Sequence, residues 1–206
     1  VNGVSSNKTG YLTSDTVDDA IVWTGQQTKP WLAVVAFHAP HAPFHIPPAN
    51  LHSVDLSNPT DLKKYQAALE ALDTELGRLI QHLKQTGKYD NTTIIVLGDN
   101  GTPQAVAVSP IPPEHAKGTL YEGGINVPFI VKSPLVAIRG SESAAFVNAV
   151  DIFATIAEIA GVDLSQVASG ITLDSKSFVS NLANPSAASS RAYNFSEVFT
   201  PLGAQY

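Results

Sequence analysis

Apolar and polar positions along the chain follow two different periods, and together they predict alternating helices and strands. Thr16-Val17-Asp18-Asp19 has the spacing of a capping box and predicts a first helix running to about Gln27. After Pro30, Trp31-Leu32-Ala33-Val34-Val35-Ala36-Phe37 is continuously apolar, which predicts a short strand buried on both faces. It runs into a loop rich in Pro and His over residues 38–52. From about Thr60 to Thr86, Leu62, Tyr65, Leu69, Leu72, Leu76, Leu79 and Leu83 recur in steps of three and four, the mark of a long helix with one apolar stripe, stopped by Gly87. A coiled coil has similar spacing, but here the pattern ends after about three heptads and a strand follows at once.

That strand is Thr93-Ile94-Ile95-Val96-Leu97, entered through an Asp90-Asn91 turn and leading into Gly98-Asp99-Asn100-Gly101. A loop spans residues 101–126, and Val127-Pro128-Phe129-Ile130-Val131 predicts a third strand, with its proline near the start, where a missing donor matters least. A helix is expected from about Asp151, as its N-cap, to Ala160, closed by Gly161, and a last strand from Arg191 to Phe199. Strands alternating with helices imply an α/β fold: a mostly parallel sheet covered by helices on both faces. In such sheets ligands gather at the carboxyl ends of the strands.

Composition narrows the function. The 206 residues carry 12 basic and 18 acidic side chains, a net charge of −6, which disfavours a nucleic-acid partner. No apolar run approaches the roughly 20 residues of a membrane-spanning helix. With no cysteine, disulfides, thiolate metal sites and cysteine nucleophiles are all excluded. The absence of methionine at position 1 and elsewhere implies a processed chain or one piece of a longer polypeptide.

Three polar clusters fall at or beside the carboxyl ends of the expected strands. Asp99 and Asn100 offer a carboxylate and an amide oxygen, hard donors suited to Ca²⁺ or Mg²⁺, though Asp-Asn-Gly is also ordinary turn chemistry. Two ligands fall short of the roughly 6–8 oxygens Ca²⁺ takes. The loop holding His38, His41 and His45 could bind a transition metal, or a neutral imidazole there could pass a proton to a substrate oxygen; its prolines are expected to hold the backbone extended. In Lys117-Gly118-Thr119-Leu120-Tyr121-Glu122-Gly123-Gly124 the lysine precedes the glycines, so this is no phosphate-cradling P-loop, but it can present a point positive charge to an anion. Glu122 could serve as a salt-bridge partner or a cap.

Taken in order, these segments resemble the sulfatase family of the alkaline-phosphatase superfamily. The resemblance rests on Ala36-Phe37-His38-Ala39-Pro40-His41-Ala42-Pro43, on Ala71-Leu72-Asp73-Thr74-Glu75-Leu76-Gly77-Arg78-Leu79, on Ile95-Val96-Leu97-Gly98-Asp99-Asn100-Gly101 and on Lys117-Gly118-Thr119-Leu120-Tyr121-Glu122-Gly123-Gly124-Ile125. A weaker block is Val150-Asp151-Ile152-Phe153-Ala154-Thr155 with Ala160-Gly161. The resemblance covers about residues 10–165. It implies that residues 1–165 are the later part of an incomplete α/β catalytic domain and that 166–206 begin a C-terminal region.

What it implies for chemistry is specific. Asp99 and Asn100 match the pair that ligates a single divalent cation, usually Ca²⁺, with Mg²⁺ as the other candidate. Lys117 matches the lysine that contacts sulfate, and His41 the histidine that contacts sulfate or the leaving-group oxygen. Asn100 stands where related phosphatases carry His and hold two zinc ions, which favours one hard cation. The family's formylglycine nucleophile, made from Cys or Ser in a Cys/Ser-x-Pro-x-Arg motif, has no counterpart here and is expected in an N-terminal part outside this sequence. The implied activity is hydrolysis of a sulfate monoester, on a small molecule or a sulfated glycan, by a periplasmic or secreted enzyme of which this chain alone is inactive. Two alternatives remain: a phosphatase or phosphonate monoester hydrolase of the same superfamily, and a non-catalytic module that binds sulfated glycans.

Overall fold

The computed structural model describes residues 9–198, which fall into two compact units. The first contains the described residues up to Asp90 together with Asn100–Asn126; the second contains Asn91–Asp99 and the described residues from Val127 onward.

The first unit is built on helix α1 (Leu12–Gln26) packed against helix α2 (Asp61–Gln85). α1 begins about one turn before the expected capping box. Tyr11 holds the N-cap position without a side-chain hydrogen bond, and the Thr16 hydroxyl donates back to the Leu12 carbonyl at 2.8 Å. Thr16 therefore satisfies its own polar group inside the helix, and the box goes unused. α2 matches the expected span, with Thr60 as its N-cap accepting from the Lys63 amide and Gly87 left-handed just past its end (φ 68°).

The buried line of α2 shares only Leu79 and Leu83 with the expected leucine stripe. It runs through Ala67, Ala71, Glu75, Leu79 and Leu83 at strict i, i+4 spacing, whereas Leu69 is 48% exposed. Alanines let α1 approach closely through Val17, which is fully buried, and ridges of i, i+4 side chains are the commonest surface for such a crossing. Glu75 lies in the middle of this line because its charge is matched. Oε1 accepts from the Ser14 hydroxyl at 2.6 Å, and Oε2 accepts from Arg78 Nε at 2.7 Å. Arg78 also reaches Asp18 Oδ1 at 2.6 Å, tying the two helices with a charged bridge at the edge of an apolar contact.

In the second unit, strand β1 (Ile94–Leu97) pairs antiparallel with strand β2 (Phe129–Lys132), Ile94 opposite Lys132 and Leu97 opposite Phe129. These two strands make up all the sheet structure among the described residues. The mostly parallel sheet with helices on both faces is thus not found there. Parallel neighbours need a crossover, usually helical, of a dozen or more residues, while residues 98–128 carry only short turns and the four-residue helix α3 (Glu122–Ile125). Trp31–Phe37, expected as a strand, forms no strand pairing among the described residues, and Arg191–Val198 is irregular; Phe199 lies outside the described residues.

Helix α4 (Asp151–Ile159) is followed by two short helices, α5 (Leu164–Val167) and α6 (Val179–Ala183). Asp151 is the first residue of α4 rather than its N-cap: Val150 already has helical backbone, and the Asp151 carboxylate reaches back to accept the Asn148 amide at 2.9 Å. The same carboxylate, 2% exposed, accepts the Lys176 amide at 2.8 Å and Arg191 Nε at 2.6 Å. Burial raises the Asp151 carboxyl, but the Arg191 guanidinium and the two amides outweigh it and hold the group below its ordinary range. Thr155, fully buried one turn on, accepts the Phe178 amide at 3.2 Å, and Phe178 meets Phe129 of β2 edge to face. One carboxylate and one hydroxyl thus pin the chain from 174 to 191 onto α4.

Candidate functional site

The Asp-Asn pair follows directly from the end of β1. The Gly98 amide donates to the Pro128 carbonyl at 3.1 Å, carrying the ladder one residue past the strand, and the chain then turns through exposed Asp99 and half-buried Asn100. Asp99 belongs to the second unit and Asn100 opens the returning segment of the first.

Within the first unit, the loop from Asn100 to Asn126 folds back on itself through main-chain hydrogen bonds. The Gly101 amide donates to the Gly124 carbonyl at 3.0 Å, and the Lys117 amide donates to the Thr102 carbonyl, also at 3.0 Å. Ala116, fully buried, and the Thr119 hydroxyl, which donates to the Ala116 carbonyl at 2.8 Å, brace the turn around Lys117. Lys117 is thereby held beside the segment that starts at Asn100. Its side chain is half-buried and, among the described residues, meets no carboxylate within ion-pair distance. Glu122 is occupied elsewhere, accepting from the Asn126 side-chain amide at 2.8 Å. A cation on a braced loop with no acidic partner is suited to meet an anion.

Three glycines make this fold-back possible, and none of them does so through left-handed backbone. A Cβ on Gly101 would lie 1.8 Å from the Gly123 carbonyl oxygen; one on Gly123 would lie 2.3 Å from Ile111 Cγ2 and 2.6 Å from the His115 carbonyl oxygen; one on Gly124 would lie 2.3 Å from the Thr119 carbonyl oxygen. The backbones are packed against one another with no room for a side chain. Asp-Asn-Gly at Gly101 reads locally as turn chemistry, and nothing local ties it to Gly123-Gly124. Their pairing across the loop had no local signal, because the contact joins residues far apart in sequence. His115 stacks on Tyr121 with ring centroids 3.6 Å apart, which closes the outer side of the same loop.

His41 lies elsewhere in the first unit. The His41 amide donates to the His38 carbonyl at 2.8 Å, so residues 38–41 form a turn and not the extended segment the prolines implied. His41 Nδ1 lies 2.6 Å from the Ala42 carbonyl oxygen, an acceptor, which places the ring proton on Nδ1 and leaves Nε2 as the outward atom on an exposed side chain. Among the described residues, no hydrogen bond or ion pair joins His41 to Asn100 or Lys117.

The donor set fits a cation in kind and falls short in number. Asp99 and Asn100 are oxygen donors of the type Ca²⁺ and Mg²⁺ prefer, but together they offer at most three side-chain oxygens, short of the roughly 6–8 that Ca²⁺ takes. Among the described residues no group of three or more His, Asp or Glu side chains could hold a metal ion, so the histidine loop does not gather His38, His41 and His45 into a transition-metal site. No described helix is long and apolar enough to cross a membrane.

The family profile described as Sulfatase matches residues 2–162. Mouse arylsulfatase J is 31% identical over 140 residues, covering 68% of this chain and 23% of that protein. A sulfatase of Formosa agariphila is 32% identical over 174 residues, covering 73% of this chain and 30% of that protein. Among solved structures, Ps i-CgsB in complex with k-i-k-neocarrahexaose superposes with a TM-score of 0.77 at 26% identity, over 89% of this chain and 42% of that one. The phosphonate monoester hydrolase SpPMH from Silicibacter pomeroyi superposes with a TM-score of 0.54 at 27% identity, over 70% of this chain and 28% of that one. The chain thus spans less than a third of these two curated relatives. It belongs to the sulfatase family.

Proposed function

We propose that this chain is the later portion of a sulfate-monoester hydrolase. Lys117 holds the sulfuryl oxygens, His41 Nε2 delivers a proton to the departing alcohol, and Asp99 and Asn100 supply two oxygens to one divalent cation, Ca²⁺ or Mg²⁺. The observation that carries this reading is the Lys117 ammonium, free of any carboxylate among the described residues, on a loop bonded back to the segment that begins at Asn100.

The chemistry follows from where charge builds. Cleaving a sulfate ester develops negative charge on the bridging and sulfuryl oxygens. A fixed ammonium stabilises that charge with little reorganisation, because the loop bonds hold it before substrate arrives. A bound divalent cation would add charge neutralisation at the sulfuryl oxygens. Nδ1 is turned to the Ala42 carbonyl, which leaves Nε2 as the ring atom that hands a proton to the departing alcohol. The formylglycine nucleophile is expected on polypeptide outside this sequence. Similarity to a protein solved with k-i-k-neocarrahexaose bound favours a sulfated glycan over a small aryl ester.

The test is an assay of the chain alone on 4-nitrophenyl sulfate with Ca²⁺, expected to show no turnover. Robust turnover would mean that a nucleophile resides in these residues and that the assignment of roles is wrong. A second reading, phosphonate monoester hydrolysis, is favoured by the likeness to SpPMH. Parallel assays of sulfate and phosphonate monoesters, on the chain joined to the polypeptide bearing the nucleophile, separate the two.

A further inference from the structure

His115 and Tyr121 take no part in the chemistry assigned above, yet they flank the turn that carries Lys117. The Thr119 amide donates to the Ala116 carbonyl at 3.2 Å, closing a four-residue turn with Lys117 and Gly118 at its centre. Gly118 is left-handed there (φ 90°), as the third residue of a type II turn requires. His115 stands one residue before this turn and Tyr121 two residues after it. Their rings lie face to face, with centroids 3.6 Å apart and planes 22° apart, whereas the other ring pairs among the described residues meet edge to face at 5.4–5.9 Å. Tyr121 is 56% exposed, and neither ring hydrogen-bonds to another described residue. An exposed tyrosine with no such bond is held here by the face of the imidazole.

We propose that His115 is a positioning residue: stacked on Tyr121, its ring clamps the two arms of the turn and so fixes where the Lys117 ammonium meets the sulfate. This rests on the reading of Lys117 as the group that holds the sulfuryl oxygens. Main-chain contacts secure the base of the turn, through the Lys117 amide on the Thr102 carbonyl and the His115 carbonyl packed against Gly123. Its tip is open, since nothing lies within 4 Å of a would-be Cβ on Gly118. A side-chain tie between the arms therefore limits how far the tip can sway. That matters because a lysine is a point charge on a flexible stem, and a charge stabilises a transition state best when its placement is fixed beforehand. The clamp works through ring faces and needs neither a charge nor a ring nitrogen, so a phenylalanine at 115 can stand in for the imidazole.

The experiment measures kcat/KM on 4-nitrophenyl sulfate in the enzyme that carries the nucleophile, and amide exchange at Lys117 in the 206-residue chain. His115→Ala should lower kcat/KM about three- to tenfold, the range a lost ring pair spans, and speed exchange of the Lys117 amide by a similar factor. His115→Phe should keep both within about twofold of the parent. In a Lys117→Ala background, His115→Ala should cost nothing further, because a residue that acts through Lys117 has nothing left to position. A full additional loss in that background overturns the proposal, since the imidazole would then act on its own. Equal losses for Phe and Ala at 115 overturn it too, as does parental kcat/KM or parental exchange in His115→Ala. Should His115→Ala fail to fold, Tyr121→Leu removes the same stack from its exposed side and is read by the same criteria. If Lys117→Ala itself leaves hydrolysis unchanged, the proposed role of Lys117 falls. The clamp is then judged by exchange alone, and a Lys117 amide that His115→Ala leaves as protected as before refutes it as well.

Discussion

Replacing Gly101 with alanine adds one methyl group, and its cost follows from three distances. The new Cβ would sit 1.8 Å from the Gly123 carbonyl oxygen, 2.8 Å from the Gly123 carbonyl carbon and 2.9 Å from Gly124 Cα. All three are backbone atoms, so no side-chain rotation can relieve the clash and the two strands of the loop must separate by about an ångström or more. Overpacking typically costs about 1–3 kcal/mol, and a backbone-on-backbone contact belongs at the upper end of that range. Separation also lengthens the bond from the Gly101 amide to the Gly124 carbonyl, worth about 1 kcal/mol. The sum, about 4 kcal/mol, is the upper end of the cost if the loop stays closed.

Gly77→Ala is the control. Gly77 lies inside α2 with nothing within 4 Å of its would-be Cβ, so the same substitution there should stabilise by about 0.5–1 kcal/mol. Denaturant unfolding and amide exchange at Gly101, Lys117 and Gly124 make the assay. Gly101→Ala should expose these amides to fast exchange even if global stability falls by less than the full amount, because opening the loop bounds the loss. If Gly101→Ala keeps all three amides protected and unfolds within about 0.5 kcal/mol of the parent, the close-packing account of this loop is wrong.

Further expectations concern charges. Arg191→Ala should destabilise the second unit by about 3–5 kcal/mol, because it strips the guanidinium from a carboxylate that is 2% exposed; chemical denaturation checks this, and a double-mutant cycle with Asp151→Asn should recover much of the loss. The folded-state pKa of Asp151 is depressed from its ordinary value of 3.8, so its contribution is complete above that value and declines as pH falls through the lower folded value. Melting of the parent should therefore lose more stability than Asp151→Asn on acidification below about pH 4, and parallel pH profiles would contradict this. In the enzyme that carries the nucleophile, Lys117→Ala should lower kcat/KM by about 10²–10³-fold, as expected for removing one fixed group that stabilises developing charge; an unchanged value removes Lys117 from the site. His41→Ala should slow esters of poor leaving groups most, and equal losses across a leaving-group series would rule out proton delivery.

Local signals made the regular elements legible. The step-three-and-four leucines announced α2, the Ile-Ile-Val-Leu run announced β1, and Gly87 and Gly161 marked helix ends through left-handed backbone (φ 68° and 71°). These depend on residues within a turn or two of one another, so the chain alone carries the information. The ordered Asp99-Asn100, Lys117 and His41 blocks pointed to the family through resemblance, and the family match over residues 2–162 agrees.

Other features required distant residues to meet. Which face of α2 is buried was settled by its packing partners: Ala67, Ala71 and Glu75 are buried with Leu79 and Leu83, while Leu69 of the stripe is exposed. Glu75 could be buried only because Ser14 and Arg78 came within reach. The antiparallel pairing of β1 with β2 and the capping of the Asn148 amide by Asp151 were likewise undetermined by local pattern. The sequence by itself determined the three longer helices, α1, α2 and α4, and which segments are apolar. Only the tertiary structure decided that Gly101 and Gly123 must lack side chains and that Lys117 lies beside the Asn100 segment, because main-chain contacts between residues remote along the chain leave no periodic trace in it.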